Sequence, residues 1–314
     1  MAREAARKSI VLLKNDGTLP LERKIKRIAI IGPNADNFEA LIGNYNGIPK
    51  NPVTVLDGIR NKIGERAEVV YAQGSPLAEG LNNLVPVPPA YLFRDNERQG
   101  VYAEYYDNPD CEGEPVFTRV DDNISFYWET YSPHPDIPHD NWSVKWKGWL
   151  KPPVTGSYSL GSWGSSNYKI FIDGDEFISY NGSHHAFHQE SGIELEKDRM
   201  YRVEIIYRNL GGDADIKFLW SPPEEDMTGN AVRLAASSDA VILVLGLSQR
   251  LEGEEMPLEI DGFKGGDRTH LKLPAEQRKL FDSIIRTGKP LIVVLMNGSP
   301  LSVNDIDQKA NAVL

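Results

Sequence analysis

The run Ala240-Val241-Ile242-Leu243-Val244-Leu245-Gly246 has no polar alternation, so a strand here is buried on both faces, as in a parallel sheet. Residues 28–31 and 290–296 repeat the pattern, 68–72 predicts another strand, and 311–314 begins a further one. Between them, apolar positions fall at helical spacing over 2–14, 54–64, 231–236 and 275–287. Gly17, Gly64 and Gly288 stand where those helices should stop. Strands and helices alternate at both ends of the chain, which is the pattern of a parallel α/β sheet.

From about residue 100 to 223 the pattern changes to short alternating segments rich in aromatics and punctuated by turns. Strands are predicted at 101–106, 144–150, 156–163, 168–172, 177–180, 192–195, 201–207 and 216–220. All six tryptophans lie in this region. Many short strands with turn signals predict an antiparallel sandwich or barrel. Before it, 74–89 is rich in Gly, Pro and Asn, the chemistry of a linker. The two α/β pieces cannot each bury a parallel sheet, but together they can. The expected fold class is therefore an α/β sandwich domain with a mostly parallel sheet, interrupted by an all-β antiparallel sandwich module. Segments 1–75 and 230–314 form the discontinuous, C-terminally incomplete α/β domain, 98–223 the inserted module, and 76–97 the linker.

Composition narrows the class. A length of 314 residues suits about two domains. The formal net charge of −11 disfavours nucleic acids and anionic membranes as partners. No apolar run reaches the length of a membrane span. The charged N-terminus has no signal-type core, so the chain reads as cytoplasmic, with any export signal on an upstream segment. Cys111 is the single cysteine, so no internal disulfide forms. No Cys/His spacing suits zinc, and neither a metal nor an organic cofactor is expected.

Candidate chemistry lies just beyond Gly246, where Glu252, Glu254 and Glu255 crowd one loop. In open parallel sheets working groups gather outside the carboxyl ends of strands. For any one of these residues a solvated acidic loop is the plainer reading. Asp267 and Arg268 suit an ion pair that fixes the loop, and Arg250 or Arg268 suits a partner for one Glu. Asn34 and Asp36, after residues 28–31, suit turn capping. The stretch 180–189 holds His184, His185, His188 and Phe187 in a predicted loop. His184 and His185 are adjacent and point apart if extended, which argues against a shared metal.

Several motifs carry a family resemblance. The stretch 2–21 (AREAARKSIVLLKNDGTLPL), then Ile28-Ala29-Ile30-Ile31-Gly32-Pro33-Asn34-Ala35, resembles the opening of the α/β-sandwich domain of glycoside hydrolase family three. Leu251-Glu252-Gly253-Glu254-Glu255-Met256, with Gly266-Asp267-Arg268-Thr269-His270-Leu271-Lys272-Leu273-Pro274, is similar to that family's acid/base loop. Val293-Val294-Leu295-Met296-Asn297-Gly298-Ser299-Pro300 is similar to another of its strands and turns. The middle, through 101–106, 144–150, 155–158 and 169–174, resembles the protective-antigen-like β-sandwich module (PA-fourteen type) that some members carry at this place.

The resemblance implies the acid/base-bearing part of an exo-acting retaining β-glycosidase, of β-glucosidase or β-xylosidase type, acting on β-linked oligosaccharides or glycosides. Such enzymes place two carboxyl groups about 5–5.5 Å apart across the scissile bond. The resemblance favours Glu252 as general acid/base, with Glu254 as the alternative and Glu255 last. Crowded carboxylates raise one another's pKa, which suits an acid. Phe187, His184, His185 and Arg268 are candidate substrate contacts. Family members begin with a catalytic barrel that supplies the nucleophilic Asp. This chain starts after it, so a separate or missing barrel is the expected partner and the chain alone is expected to be inactive. The alternative is a non-catalytic carbohydrate-binding protein that uses the β module on an α/β scaffold.

Overall fold

A computed structural model describes residues 2–43, 52–81, 84–182, 187–223, 226–256 and 258–314. It divides into two compact units, one of residues 1–83 with 224–314 and one of residues 84–223.

The first unit is built on a six-stranded sheet. Its order is Lys14–Asn15, Ala312–Val313, Leu291–Met296, Ala240–Gly246, Arg27–Ile31 and Glu68–Ala72. All neighbours pair in parallel except Lys14–Asn15, which is antiparallel to Ala312–Val313. Strands from both ends of the chain thus share one sheet. All seven residues of Ala240–Gly246 are buried, as a run without polar alternation requires. On one face Ala231, Ala235, Leu280, Phe281, Ile284 and Ile306 of three helices cover Val241, Leu243 and Val293. On the other, Leu56 of the helix Val55–Ile63 covers Ile28, Ile30, Ile242 and Val244.

Local chemistry sets the ends of these elements. Thr54 caps Val55–Ile63 by accepting from the Asp57 amide at 3.1 Å, and Asp226 caps Met227–Ala236 through the Gly229 amide at 2.9 Å. Asp239 accepts from the amides of Lys26 (2.7 Å) and Arg27 (3.0 Å), which lock together the starts of the two central strands. Those bonds hold its carboxyl below the usual carboxylate range.

One predicted helix is shorter than expected. The helix expected over 2–14 ends at Ser9, and Leu13 donates its amide to Val313 before Lys14–Asn15 joins the sheet edge. Pairing with residues some 300 positions away overrides a local helical pattern. The stretch read as a linker also carries structure. Leu77 and Ala78 are buried against Leu247, Leu251 and Phe263, while Val85–Pro86 and Leu92–Phe93 are strands of the second unit.

The second unit is all-antiparallel. One sheet runs Asp175–Asn181, Asn167–Ile172, Tyr201–Asn209, Trp142–Leu150, Val101–Tyr106 and Phe117–Asp121, with Leu92–Phe93 beside Trp142–Leu150. The other runs Phe187–Leu195, Gly156–Gly164, Ala214–Ser221 and Val85–Pro86, with Ser125–Glu129 beside Ala214–Ser221. Trp142, Trp146, Tyr105, Tyr158, Tyr168, Tyr207 and Phe218 fill the core. Most tryptophans are therefore packing residues.

The strands Phe117–Asp121 and Ser125–Glu129 escape the sequence pattern. The reason for the first is a polar network at core-facing positions. Asp121 accepts from Tyr105 Oη (2.9 Å), Trp146 Nε1 (2.8 Å) and Arg119 Nε (2.5 Å), and Arg119 also donates to Tyr105 Oη at 2.7 Å. Each charge is satisfied by its neighbours, so Arg and Asp stand where apolar residues were expected.

Asp215 gives this unit a pH dependence. It is 1% exposed, and its Oδ1 accepts from the Ser165 amide at 3.0 Å. Burial pushes its carboxyl up from the ordinary 3.8 to about 6, opposed by the Ser165 bonds. With the folded value raised, the native state binds more protons than the unfolded one between pH 4 and 6. The contribution of Asp215 to stability is therefore fullest below about pH 4 and is lost as pH rises through about 6. The interval from 3.8 to about 6 is worth about 3 kcal/mol at most. Asp215→Asn should remove this fall and leave the unit more stable than the parent at pH 7. All six tryptophans lie in this unit, so denaturation followed by their fluorescence at pH 4, 5, 6 and 7 reads it directly. A variant that tracks the parent's pH dependence would exonerate Asp215.

Candidate active site

The site lies where the central strands end. Gly246 has φ +140° and a Cβ there would fall 1.9 Å from Met296 O; Gly32, with φ +124°, would meet Val244 O at 2.0 Å. Only glycine permits so close an approach of adjacent chains. Gln277, fully buried, clamps the exit by accepting from Gly246 N (2.8 Å) and donating to Gly246 O (2.8 Å) and Leu77 O (2.7 Å). Asn34 Nδ2 donates to Leu247 O at 3.0 Å and ties the loop after Arg27–Ile31 to this one. It bridges two strand ends and does not merely cap its own turn. Asp36 accepts from Thr54 Oγ1 at 3.0 Å, so it holds the threonine that caps Val55–Ile63 and not its own turn as expected.

The acidic loop then turns tightly. Leu251 and Glu252 both donate their amides to Ser248 O, at 2.9 and 3.2 Å, and Leu251 plugs into the cluster of Leu77, Leu247 and Phe263. This anchor turns the neighbouring Glu252 inward. Its side chain is 17% exposed, with Oε1 4.0 Å from Arg268 Nη1. A Cβ on Gly298 would lie 3.6 Å from its Oε2, so the carboxylate sits against the turn after Leu291–Met296. Glu254 and Glu255 are exposed, and Glu255 has φ +50°. The three carboxylates therefore divide into one half-buried group and two solvated ones.

A small sheet of Glu259–Ile260, Phe263–Lys264 and Asp267–Arg268 closes the site. Its approach to the acidic loop is fixed by Gly266, where a Cβ would fall 1.7 Å from Gly253 O. Among the described residues the charge beside Arg268 is Glu252 and not its chain neighbour Asp267, which is exposed. His270 Nε2 faces Asp261 Oδ1 at 3.2 Å, and its Nδ1 accepts from the Lys272 amide at 3.3 Å.

Glu252 and Arg268 are thus brought together. Phe187 opens the strand Phe187–Leu195 of the other unit, opposite Gly164. His184 and His185 lie outside the described residues. Gln277 has no local signature, and Gly298 and Ser299 stand in a recognised turn with nothing local to mark them as site residues, because their part depends on partners remote in the chain. Among the described residues no group of three or more His, Cys, Asp or Glu is arranged to hold a metal, and no helix is long and apolar enough to cross a membrane.

Residues 10–314 match the glycosyl hydrolase family 3 C-terminal domain. A xylan 1,4-beta-xylosidase of Xylanibacter ruminicola is 28% identical over 325 residues, covering 100% of this chain and 36% of that protein. A beta-glucosidase of Rhizobium radiobacter is 26% identical, covering 96% and 36%. The crystal structure of beta-glucosidase from Kluyveromyces marxianus in complex with glucose shares the fold over 99% of this chain and 38% of its own, with a TM-score of 0.65 at 22% identity. The chain spans just over a third of the length of these relatives. With its α/β sheet, its antiparallel β unit and a match over nearly its whole length, the chain belongs to glycosyl hydrolase family 3, of which it carries the C-terminal domain.

Proposed function

We propose that this chain is the acid/base-bearing part of a retaining, exo-acting β-glycosidase that removes terminal β-linked sugars from oligosaccharides or glycosides. Glu252 is the acid/base and Glu254 the alternative. The nucleophilic carboxylate is supplied by polypeptide outside this chain. The observation that carries the reading is Glu252 itself. It is the half-buried member of the three loop carboxylates and lies outside the carboxyl end of the central strand, in a family 3 domain. Partial burial suits a group that must alternate between acid and base. The names of the relatives, a beta-xylosidase and a beta-glucosidase, support the substrate class.

The test joins this chain to the remaining portion of the Xylanibacter ruminicola relative. Glu252→Ala in that joined enzyme should be rescued by azide, which attacks the glycosyl-enzyme without a base and leaves a β-glycosyl azide. Glu254→Ala should show no such rescue. Azide product at Glu254 and none at Glu252 would move the role two residues along the loop. The isolated chain should not hydrolyse aryl β-glycosides, since one carboxylate cannot carry a double displacement. Turnover by the purified chain that survives Glu252→Ala would contradict this.

A further inference from the structure

We propose that Arg268 is a positioning residue for Glu252 and not a ligand for sugar. A guanidinium has five N–H donors and no acceptor. Here Nε donates to His270 O (3.2 Å), and Nη2 donates to His270 O (2.9 Å) and Lys272 O (3.0 Å). Nη1 donates to Ser299 Oγ (3.0 Å) and Pro300 O (3.4 Å). Every donor is engaged within the chain, so a sugar hydroxyl gains one only by displacing a bond already made. The guanidinium also lies over the buried Phe263 ring, 4.9 Å from its centroid.

Three segments meet at this one side chain. The acceptors at 270–272 and at 299–300 fix the guanidinium, and its Nη1 stands 4.0 Å from Glu252 Oε1. The first segment is itself pinned by Asp261 and the Lys272 amide through His270. Both partners of the ion pair are largely buried, at 10% and 17% exposure, so the pair is screened less than a surface one. Burial works against the Arg268 charge and Glu252 supports it. Removing the cation leaves a half-buried carboxylate without it. In a double displacement the carboxylate must return to one orientation to deprotonate water in the second step. A cation that is itself immobile supplies that orientation.

The latch stands on geometry alone; its catalytic meaning rests on reading Glu252 as the acid/base. Amide hydrogen exchange on the isolated chain tests the latch. Arg268→Lys keeps the charge but cannot make the fork of five bonds. It should speed exchange about tenfold or more in 249–256, 268–273 and 297–302 together. Ser299→Ala removes one bond and should preserve the fold, yet still raise exchange in 249–256. Unchanged exchange there in Ser299→Ala, or in a folded Arg268→Lys, overturns the latch. In the joined enzyme, Arg268→Lys should lower kcat for poor leaving groups about tenfold with KM nearly constant. A raised KM with kcat preserved would make Arg268 a sugar ligand and overturn the proposal. Azide rescue at Glu254 alongside the predicted exchange pattern would instead defeat the acid/base reading and leave the latch in place.

Discussion

Glu252→Ala in the joined enzyme should slow hydrolysis of alkyl β-glycosides by about two to four orders of magnitude, the usual worth of a positioned general acid. Such leaving groups are poor and need a proton in the transition state. Dinitrophenyl β-glycosides leave without that proton, so their first step should lose far less. Their glycosyl-enzyme should then accumulate, because water lacks its base in the second step. A burst of dinitrophenolate followed by slow turnover, read by stopped-flow absorbance, is the expected trace. The split between substrates is the informative result. Misfolding of the loop would depress both classes alike, and loss of a sugar contact would raise KM for both. An even loss across leaving groups would therefore remove Glu252 from proton transfer. Glu254→Ala should give only a small and even loss, since that side chain is exposed.

Gly246→Ala should destabilise the α/β unit by about 3 kcal/mol or more. The new methyl would lie 1.9 Å from Met296 O, 2.7 Å from its carbonyl carbon and 2.8 Å from its nitrogen. None of these atoms belongs to a flexible side chain. The backbone is also held at φ +140°, where an L side chain is strained. Relief requires either parting Ala240–Gly246 from Leu291–Met296 or breaking the Gln277 clamp, and the second strands buried amide groups. The α-helices of the described residues all lie in this unit and the tryptophans all lie in the other. Urea unfolding followed at 222 nm should shift to a lower midpoint while the tryptophan transition stays in place. An unmoved 222 nm transition would show that the strands tolerate the methyl.

The tryptophan-rich strands and the fully apolar strands were legible in the chain for different reasons. Val101–Tyr106 and Tyr201–Asn209 alternate because one face meets the core and the other meets water. Ala240–Gly246 does not alternate because helices cover both faces. Legibility failed where a residue's partner lay far along the chain. Lys14–Asn15 became a strand only by meeting Ala312–Val313. Asp121 broke the alternation of its strand because it accepts from Tyr105 and Trp146, which other strands bring to it.

The candidate site divides in the same way. The sequence by itself determined that three carboxylates follow the glycine that ends a buried strand, because strand, stop and loop are local features of composition and period. The family resemblance placed Glu252 first, Glu254 second and Glu255 last, whereas composition and spacing alone leave the three equal, since they crowd one loop and share one chemistry. Tertiary structure gives them different surroundings. Leu251 buries itself against Leu77 and Phe263, and this turns Glu252 toward Arg268 and Gly298 while Glu254 and Glu255 face water. It also engages all five donors of Arg268, with carbonyls and a hydroxyl brought together by folding. Burial and hydrogen-bond saturation are properties of surroundings, and those surroundings exist only once strands remote in sequence lie side by side.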